Sequence, residues 1–174
     1  MKVTVKQFQE IAKVNDSKLD QLDKQIKIYS IVTGKSEDYI LNLPLDKIKK
    51  LATECQVINK GKAKYLFIGG TLYRFVGLAE TLTAGQYIDL KNFAKDFTNN
   101  LHLMLAIVYK PVWGRYDHAK VSEDMLKADI GKVYGTLFFC SKVLEDLNPT
   151  ILCSMWIAQK DIKEVMEEIA STSF

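Results

Sequence analysis

Few side chains in this sequence are of the types that bind metals or carry catalysis. The two histidines stand at positions 102 and 118, and the three cysteines stand at 55, 140 and 153. Zinc sites usually take their ligands in close pairs such as Cys-x-x-Cys or His-x-x-x-His, and neither spacing occurs. His102 lies in an apolar segment and is predicted to be a core histidine, whereas His118 is predicted to be an exposed loop residue. The sequence therefore predicts no metal site.

Nucleophilic catalysis and phosphate binding are equally poorly supported. Cys140 could act as a nucleophile only beside a base such as His102, and its apolar surroundings favour an inert buried thiol. The sequence holds no Gly-x-Ser-x-Gly, and Gly69-Gly70 is not followed by the Gly-Lys-Ser/Thr of a phosphate-binding loop. Adjacent acids such as Glu123-Asp124 are predicted to face solvent on helices. We therefore expect a protein that is not an enzyme and has no cofactor.

The charge pattern limits the classes of partner and the compartment. The chain has 24 basic and 21 acidic residues, which gives a net charge of +3, and the two signs are interspersed. This mixture argues against a nucleic-acid partner, which would require a clear basic stripe. The odd, widely spaced cysteines suit a reducing cytosol. The apolar stretch at 103–109 is far shorter than the ~20 residues of a membrane span. A soluble cytoplasmic protein is expected.

The elements that would position any site are mostly helical in the N-terminal part. Thr4 and Gln7 form a capping box, which predicts a helix through about residue 13. The segment 15–17 is predicted to be a turn and cap before a second helix over 18–32, with Gly34 ending it. A short helical turn is predicted from Ser36, and a further helix over 45–55.

The pattern then changes to β-prone residues. The segments 65–68 and 71–75 are rich in aromatic and branched side chains, and Gly69-Gly70 between them is the right length for a hairpin turn. A lone hairpin is marginally stable, so one of its faces must pack on helices or on another chain.

The C-terminal part again favours helices. Thr83 and Gln86 form a second capping box, and its helix is predicted to be interrupted at 99–100, to continue as an apolar core helix over 101–109 and to stop at Pro111. A loop over 113–120, a short helix capped by Ser122, a helix over 130–147 and a last helix over 150–170 are predicted to follow.

The predicted fold class is mainly α: a helical domain with one small β-hairpin (α+β). Residues 1–174 are predicted to form a single domain, with an N-terminal helical part at 1–60, the hairpin at 64–76 and a C-terminal helical core at 83–170. No internal repeat or long linker divides the chain.

Two segments are candidates for a protein interface. The aromatic residues of the hairpin alternate, so that one apolar face remains available for a partner. The loop at 111–117 carries Trp, Arg and Tyr, the residue types that anchor interfaces, although its aromatic residues could instead fold back on the core. The candidate residues are Tyr65, Phe67, Tyr73, Phe75, Trp113, Arg115 and Tyr116.

Several segments resemble bacteriophage proteins. The stretch from Ile31 through Thr33-Gly34-Lys35-Ser36 to Leu43-Pro44-Leu45 resembles a segment of phage tail assembly chaperones, in which an apolar helix ends before a short acidic helix. The segments at 83–90, 105–111 and 123–126 are similar to uncharacterised phage proteins of comparable size. The resemblance implies a non-enzymatic virion-assembly protein of the bacterial host cytoplasm, which binds virion or tail components. A homo-oligomer and a location in the virion are further expectations of the same resemblance.

Two alternatives stay open within that resemblance. One is a structural virion component, such as a connector, ring or internal head protein. The other is a small phage inhibitor of a host protein. The assembly protein and the structural component share one physical requirement, an apolar surface that is complementary to a partner or to another copy of the chain.

Overall fold

Helices make up most of the chain in a computed structural model, which describes residues 2–44, 46–48, 61, 63–76 and 82–145. A small antiparallel sheet accompanies them, so the prediction of a mainly α chain with a small β part is confirmed. Within these residues the helices are α1 (Val5–Asn15), α2 (Gln21–Thr33), α3 (Glu37–Leu41), α4 (Ala84–Phe93), α5 (Phe97–Val108), α6 (His118–Met125) and α7 (Ile130–Glu145). The strands are β1 (Tyr65–Ile68), β2 (Thr71–Phe75) and β3 (Tyr109–Pro111).

Both predicted capping boxes are present. Thr4 Oγ1 accepts from the backbone N–H of Gln7, whose side chain accepts from the Thr4 N–H, and Thr83 and Gln86 repeat the arrangement at α4. Ser36 caps α3 as predicted. Helix α2 ends at Gly34, whose φ of 67° is the left-handed conformation that glycine adopts most readily.

Three helix boundaries differ from the prediction, and each differs because an aspartate supplies the cap. Asp20, rather than residues 15–17, caps α2. The interruption between α4 and α5 is a 3₁₀ turn at Ala94–Asp96, and Asp96 caps α5, so that Asn99 lies in its first turn. Asp117 caps α6 by accepting from the N–H groups of the next turn, and Ser122 lies inside that helix. An ionised carboxylate satisfies these unpaired N–H groups well and opposes the helix dipole.

Two predicted helices fall largely or wholly outside the described residues. Of the helix predicted over 45–55, only residues 46–48 are described, and they are helical. The helix predicted over 150–170 lies outside the described residues, as do Cys55 and Cys153.

Helix α5 is the centre of the hydrophobic core, as its nearly uniform apolar sequence predicted. It contacts α1, α4, α6, α7 and β3. Six of its twelve side chains are fully buried: Leu101, Met104, Leu105, Ala106, Ile107 and Val108 are each at most 1% exposed. A helix covered on every side in this way fixes the positions of the elements around it.

The N-terminal segment is held against the loop between α6 and α7. The N–H of Val5 donates to the carbonyl of Ala128 at 2.9 Å, and the N–H of Ile130 donates to the carbonyl of Val3 at 2.9 Å. Val3 and Val5 are both buried. The start of α1 is therefore part of the core.

The strand β3 was not expected, because residues 101–109 were predicted to be helical up to Tyr109. Instead, α5 ends at Val108, and Tyr109 takes extended backbone with φ of −110° and ψ of 120°. Proline disfavours helical backbone in the residue before it, so the chain approaching Pro111 is extended. It pairs with β2, with Phe75 opposite Tyr109 and Tyr73 opposite Pro111. The predicted hairpin is thus two strands of a three-stranded sheet in the order β1-β2-β3.

Candidate protein-binding surface

The register of the sheet assigns every strand residue to one of two faces. In β1 and β2, Tyr65 lies opposite Arg74 and Phe67 lies opposite Leu72, while Arg74 also lies opposite Lys110 of β3. Because neighbours directly across strands share a face, these residues lie on one side of the sheet. Val112 follows Lys110 by two residues, and its N–H donates to the carbonyl of Leu72 at 2.9 Å. We call this side the outer face, formed by Tyr65, Phe67, Leu72, Arg74, Lys110 and Val112.

The outer face exposes large apolar side chains. Phe67 is 74% exposed and Tyr65 is 49% exposed, and Val112 is 37% exposed. Trp113, which directly follows Val112, is 73% exposed. Scattered exposed apolar residues are ordinary, but residues grouped by the register of a sheet form a continuous patch of the kind that binds other proteins. The structure therefore leaves one aromatic side of the sheet accessible.

Cations surround this apolar patch. Arg74 and Lys110 lie side by side across β2 and β3. Lys64 Nζ lies 5.8 Å from the centroid of the Tyr65 ring. The ion pairs found within the described residues join Lys6 to Glu10 and Lys127 to Asp124, so neither Arg74 nor Lys110 is paired with an acid there. No acid among the described residues therefore compensates Arg74 or Lys110, and Lys110 Nζ lies 5.7 Å from the centroid of the Tyr116 ring.

The four aromatic residues of the hairpin that were predicted as interface candidates divide between the two faces. Tyr65 and Phe67 lie on the outer face and are exposed. Tyr73 and Phe75 lie on the opposite, inner face, where Tyr73 is 1% exposed and Phe75 packs edge-on against Tyr109 with ring centroids 5.6 Å apart. The expectation that Tyr73 and Phe75 belong to an accessible face is therefore wrong. They were grouped with β1 because alternation within each strand does not reveal the register between strands.

Tyr73 instead forms a buried polar contact with α6. Its Oη donates to Oδ2 of Asp124 at 2.6 Å, and Lys127 Nζ donates to Oδ1 of Asp124 at 3.1 Å. Burial and the neighbouring carboxylate raise the pKa of Tyr73 to about 12. Burial alone would raise the pKa of Asp124, but the hydrogen bonds from Tyr73 and Lys127 outweigh it, and the pKa is lowered. Asp124 was expected to face solvent, and it is 9% exposed.

The predicted interface loop also divides. Trp113 and Arg115 are exposed, and Gly114 between them has a φ of 89°. Tyr116 folds back on the core, where its Oη donates to the carbonyl of Ala106 at 3.0 Å. Burial, with smaller contributions from Asp117 and Asp89, raises the Tyr116 pKa. Tyr116 therefore folds back on the core, whereas Trp113 and Arg115 are exposed and their part in an interface stays a prediction.

Four residues of the outer face were not identified from the sequence, because only the register of the sheet places them on this face. Leu72, Arg74, Lys110 and Val112 complete the outer face. The signal for Arg74 was its position between the inward-facing Tyr73 and Phe75. No comparable signal existed for Lys110 and Val112, because β3 was predicted to be helix and loop.

The histidines have mainly packing roles. Gln9 Nε2 contacts His102 Nδ1 at 3.2 Å and also donates to the carbonyls of Thr98 and Asn99. Burial and then the neighbouring His118 lower the pKa of His102. His118 stacks on Phe93 with ring centroids 6.2 Å apart, so it is partly enclosed rather than an exposed loop residue. Across residues 2–145, in the parts described, no group of three His, Cys, Asp or Glu side chains converges on a common point.

Comparison with known proteins adds no relative from which a role can be transferred. No protein-family model, curated protein or solved structure matches the chain. The helices in the described segments are all too short or too polar to cross a membrane. The outer face is therefore assessed on its own chemistry.

Proposed function

We propose that this chain is a protein-binding module that holds an acidic protein partner on the outer face of its sheet. The observation that carries the proposal is the exposure of Phe67, at 74%, on the face of the sheet that also carries Arg74 and Lys110, which form no ion pair among the described residues. Trp113, at 73% exposed, directly follows the outer-face residue Val112. Aromatic and arginine side chains supply much of the energy of protein interfaces. Exposed aromatic area with positive charge around it suits a partner that is apolar at the centre and acidic at its rim.

The charges favour a different protein over a second copy of this chain. Two copies docked through their outer faces would bring Arg74 and Lys110 of one near the same cations of the other. Like charges brought together in an interface cost several kcal/mol, of order 1–4 each at short range near a protein surface. An acidic partner would instead be attracted by Arg74 and Lys110, and this attraction weakens as the salt concentration rises.

A single-stranded nucleic acid is the other class that combines aromatic and basic contacts. The outer face suits it less well, because its central row is Phe67, Leu72 and Val112, and the two aliphatic side chains offer no stacking surface. The low net charge of +3 points the same way.

Substitutions on the outer face test the proposal in the cells that produce the protein. The tagged variant Phe67→Ser/Trp113→Ser removes the most exposed aromatic side chain of the outer face together with the exposed Trp113 that follows Val112. Its matched control is Leu22→Ser/Ile88→Ser, because Leu22 and Ile88 are 65% and 56% exposed on α2 and α4. A partner with an acidic surface should be retained by the wild type and the control, and reduced about tenfold or more by the outer-face variant.

The same experiment has three results that would contradict the proposal. Equal retention by the two variants would remove the outer face from binding. Light scattering that shows a closed oligomer lost on substitution of Phe67 would make a second copy the occupant. Tighter binding of a uridine oligonucleotide than of the recovered protein would assign the face to nucleic acid.

The resemblance to phage tail assembly chaperones makes virion and tail proteins the first partners to test. As a chaperone of the host cytoplasm, the chain would be absent from finished virions, whereas as a structural component it would be present in them. As an inhibitor, it would recover a host protein instead. Mass spectrometry of purified particles and of the retained partner distinguishes the three.

A further inference from the structure

The edge of β1 that faces away from β2 lies beside the outer face. The N–H of Phe75, at the end of β2, donates to the carbonyl of Lys64, just before β1, at 3.0 Å, so 64 and 75 form a hydrogen-bonded pair. In an antiparallel ladder such pairs alternate with pairs whose backbone groups point away from each other. The pairs of Tyr65 with Arg74 and of Phe67 with Leu72 are of the second kind. The N–H and C=O groups of Tyr65 and Phe67 thus point away from β2.

The hydrogen bonds of β2 agree with this assignment. Leu72, opposite Phe67, directs its carbonyl toward β3, where it accepts from Val112. On the other side of β1, no strand pairs with it among the described residues, because the sheet order is β1-β2-β3. Tyr65 and Phe67 therefore present side chains on the outer face and backbone donors and acceptors at the adjacent edge.

The opposite edge of the sheet is closed to such pairing. The same alternation directs the backbone of Tyr109 and Pro111 away from β2, since Val112 and Val76 make the hydrogen bonds across that ladder. Pro111 has no N–H to donate, and Tyr109 is 0% exposed. Unpaired edges are usually blocked by such devices. Only one of the two edges in the described sheet is blocked in this way.

We infer that the partner binds as an extended acidic segment that adds a fourth strand to the edge of β1. This inference rests on the proposed function and specifies its binding mode. An added strand lies ~4.8 Å from β1 and places alternate side chains on the outer face. One of these side chains lies beside Phe67 and continues the apolar row, and the next lies beside Tyr65, where the Lys64 ammonium is already positioned. The matching segment alternates acidic and apolar residues on that side.

Amide exchange provides a direct test of strand addition. The probe is an eight-residue synthetic peptide in which Glu alternates with Val on one face and Thr occupies the other, and a Lys-for-Glu peptide is its charge-reversed counterpart. In the free protein, the amides of Tyr65 and Phe67 should exchange rapidly while that of Leu66, bonded to β2, exchanges slowly. The Glu peptide should slow exchange at Tyr65 and Phe67 about tenfold or more and leave Leu66 unchanged.

A proline substitution in β1 distinguishes strand addition at the edge from binding to the outer face alone. Tyr65→Pro removes the outward N–H without removing a hydrogen bond to β2, and Tyr65→Ala is its matched control because both lose the phenol ring. Strand addition requires Tyr65→Pro to bind the Glu peptide at least about fivefold more weakly than Tyr65→Ala. Urea unfolding of both variants confirms that each is folded.

Each other result counts against strand addition. Equal binding by Tyr65→Pro and Tyr65→Ala, with unchanged exchange at Phe67, would place the partner on the outer face alone and would leave the proposed function intact. Equal binding of the Glu and Lys peptides would overturn the acidic class of partner. No saturable binding of either peptide would overturn the inference. Failure of the proposed function itself is recognised separately, by equal partner retention in the variants of Phe67 with Trp113 and of Leu22 with Ile88.

Discussion

Tyr73 Oη lies 2.6 Å from Oδ2 of Asp124, and this hydrogen bond joins the middle strand of the sheet to helix α6 across a buried boundary. Because Tyr73 is on the inner face, the bond also determines which side of the sheet faces outward. Asp124 carries the negative charge of the contact, and Lys127 partly compensates it. The outer face is accessible because the inner face is anchored in this way.

Removal of this hydroxyl should destabilise the protein. Tyr73→Phe leaves the carboxylate of Asp124 without its buried donor, and the loss of one partner from a buried hydrogen bond to a charged group costs about 1–3 kcal/mol. Urea unfolding followed by circular dichroism measures the change. Tyr65→Phe is the control, since Tyr65 is 49% exposed on the other face and should change the free energy of unfolding by less than about 0.5 kcal/mol. Equal effects of the two substitutions would contradict a structural role for this bond.

The same contact predicts a loss of stability in alkali. The Tyr73 pKa is about 12 in the folded protein and about 10 when the chain is unfolded. The unfolded chain therefore releases the phenol proton first, so the stabilisation is fully present below about pH 10 and is lost as the pH rises from there toward 12. Urea midpoints of wild type and Tyr73→Phe should converge over this range. A constant difference between the two proteins would show that the hydroxyl does not titrate as described.

His102 predicts a loss of stability in mild acid. Its pKa in the folded protein is lowered by burial and by His118, and its Nδ1 lies 3.2 Å from Gln9 Nε2, a donor group that a protonated Nδ1 would repel. The unfolded chain thus binds a proton that the folded chain resists. Stability is unaffected well above the unfolded pKa of about 6.5 and falls as the pH drops from there through the folded value.

His102→Asn is the variant that isolates this effect. Its amide oxygen can still accept from Gln9 but does not titrate. When the pH is lowered from about 7.5 to about 5.5, the free energy of unfolding should fall more in the wild type than in His102→Asn. If the difference is the same at both pH values, His102 is not the acid-sensitive group.

Gln7 and Gln86 occupy the same position of two capping boxes but have different second contacts. Gln7 Nε2 donates to the carbonyl of Ile31 at 2.9 Å and so joins the start of α1 to the end of α2. Within the described part of the chain, the side chain of Gln86 forms a hydrogen bond only with Thr83. Gln7→Glu keeps the acceptor for the Thr4 N–H but replaces the donor by an oxygen that repels the Ile31 carbonyl. It should cost about 1–2 kcal/mol, whereas Gln86→Glu should be close to neutral.

Thermal and urea unfolding of the two variants provide the comparison. If both substitutions have the same effect, the contact between Gln7 and α2 contributes nothing to stability.

Local signals predicted the elements whose structure depends on neighbours in the sequence. The capping boxes at Thr4 and Thr83 and the two glycines between β1 and β2 all act within a few residues, and each was correctly read. The φ values of 56° and 82° at Gly69 and Gly70 are those that a tight hairpin turn requires. The apolar pattern of α5 predicted its burial for the same reason.

The parts that could not be predicted depend on contacts distant in the sequence. Tyr109 becomes a strand residue because β2 is available to pair with it, and no property of residues 101–109 reveals that. The division of Tyr65 from Tyr73 follows from the register, which sequence alternation leaves undetermined. The site therefore emerged only in part from the sequence: Phe67 and Trp113 were identified, whereas Arg74 and Lys110 required the sheet.

The hydrogen bonds that join Val3 and Val5 to Ala128 and Ile130 also impose an order of events during synthesis. The start of α1 is synthesised well before its backbone partners, which follow only after more than a hundred further residues have been added. At translation rates of about 5–20 residues per second, α1 waits several seconds or longer for them. A nascent chain stalled before Ala128 should therefore leave this end sensitive to protease, and protection should begin only once α7 has emerged.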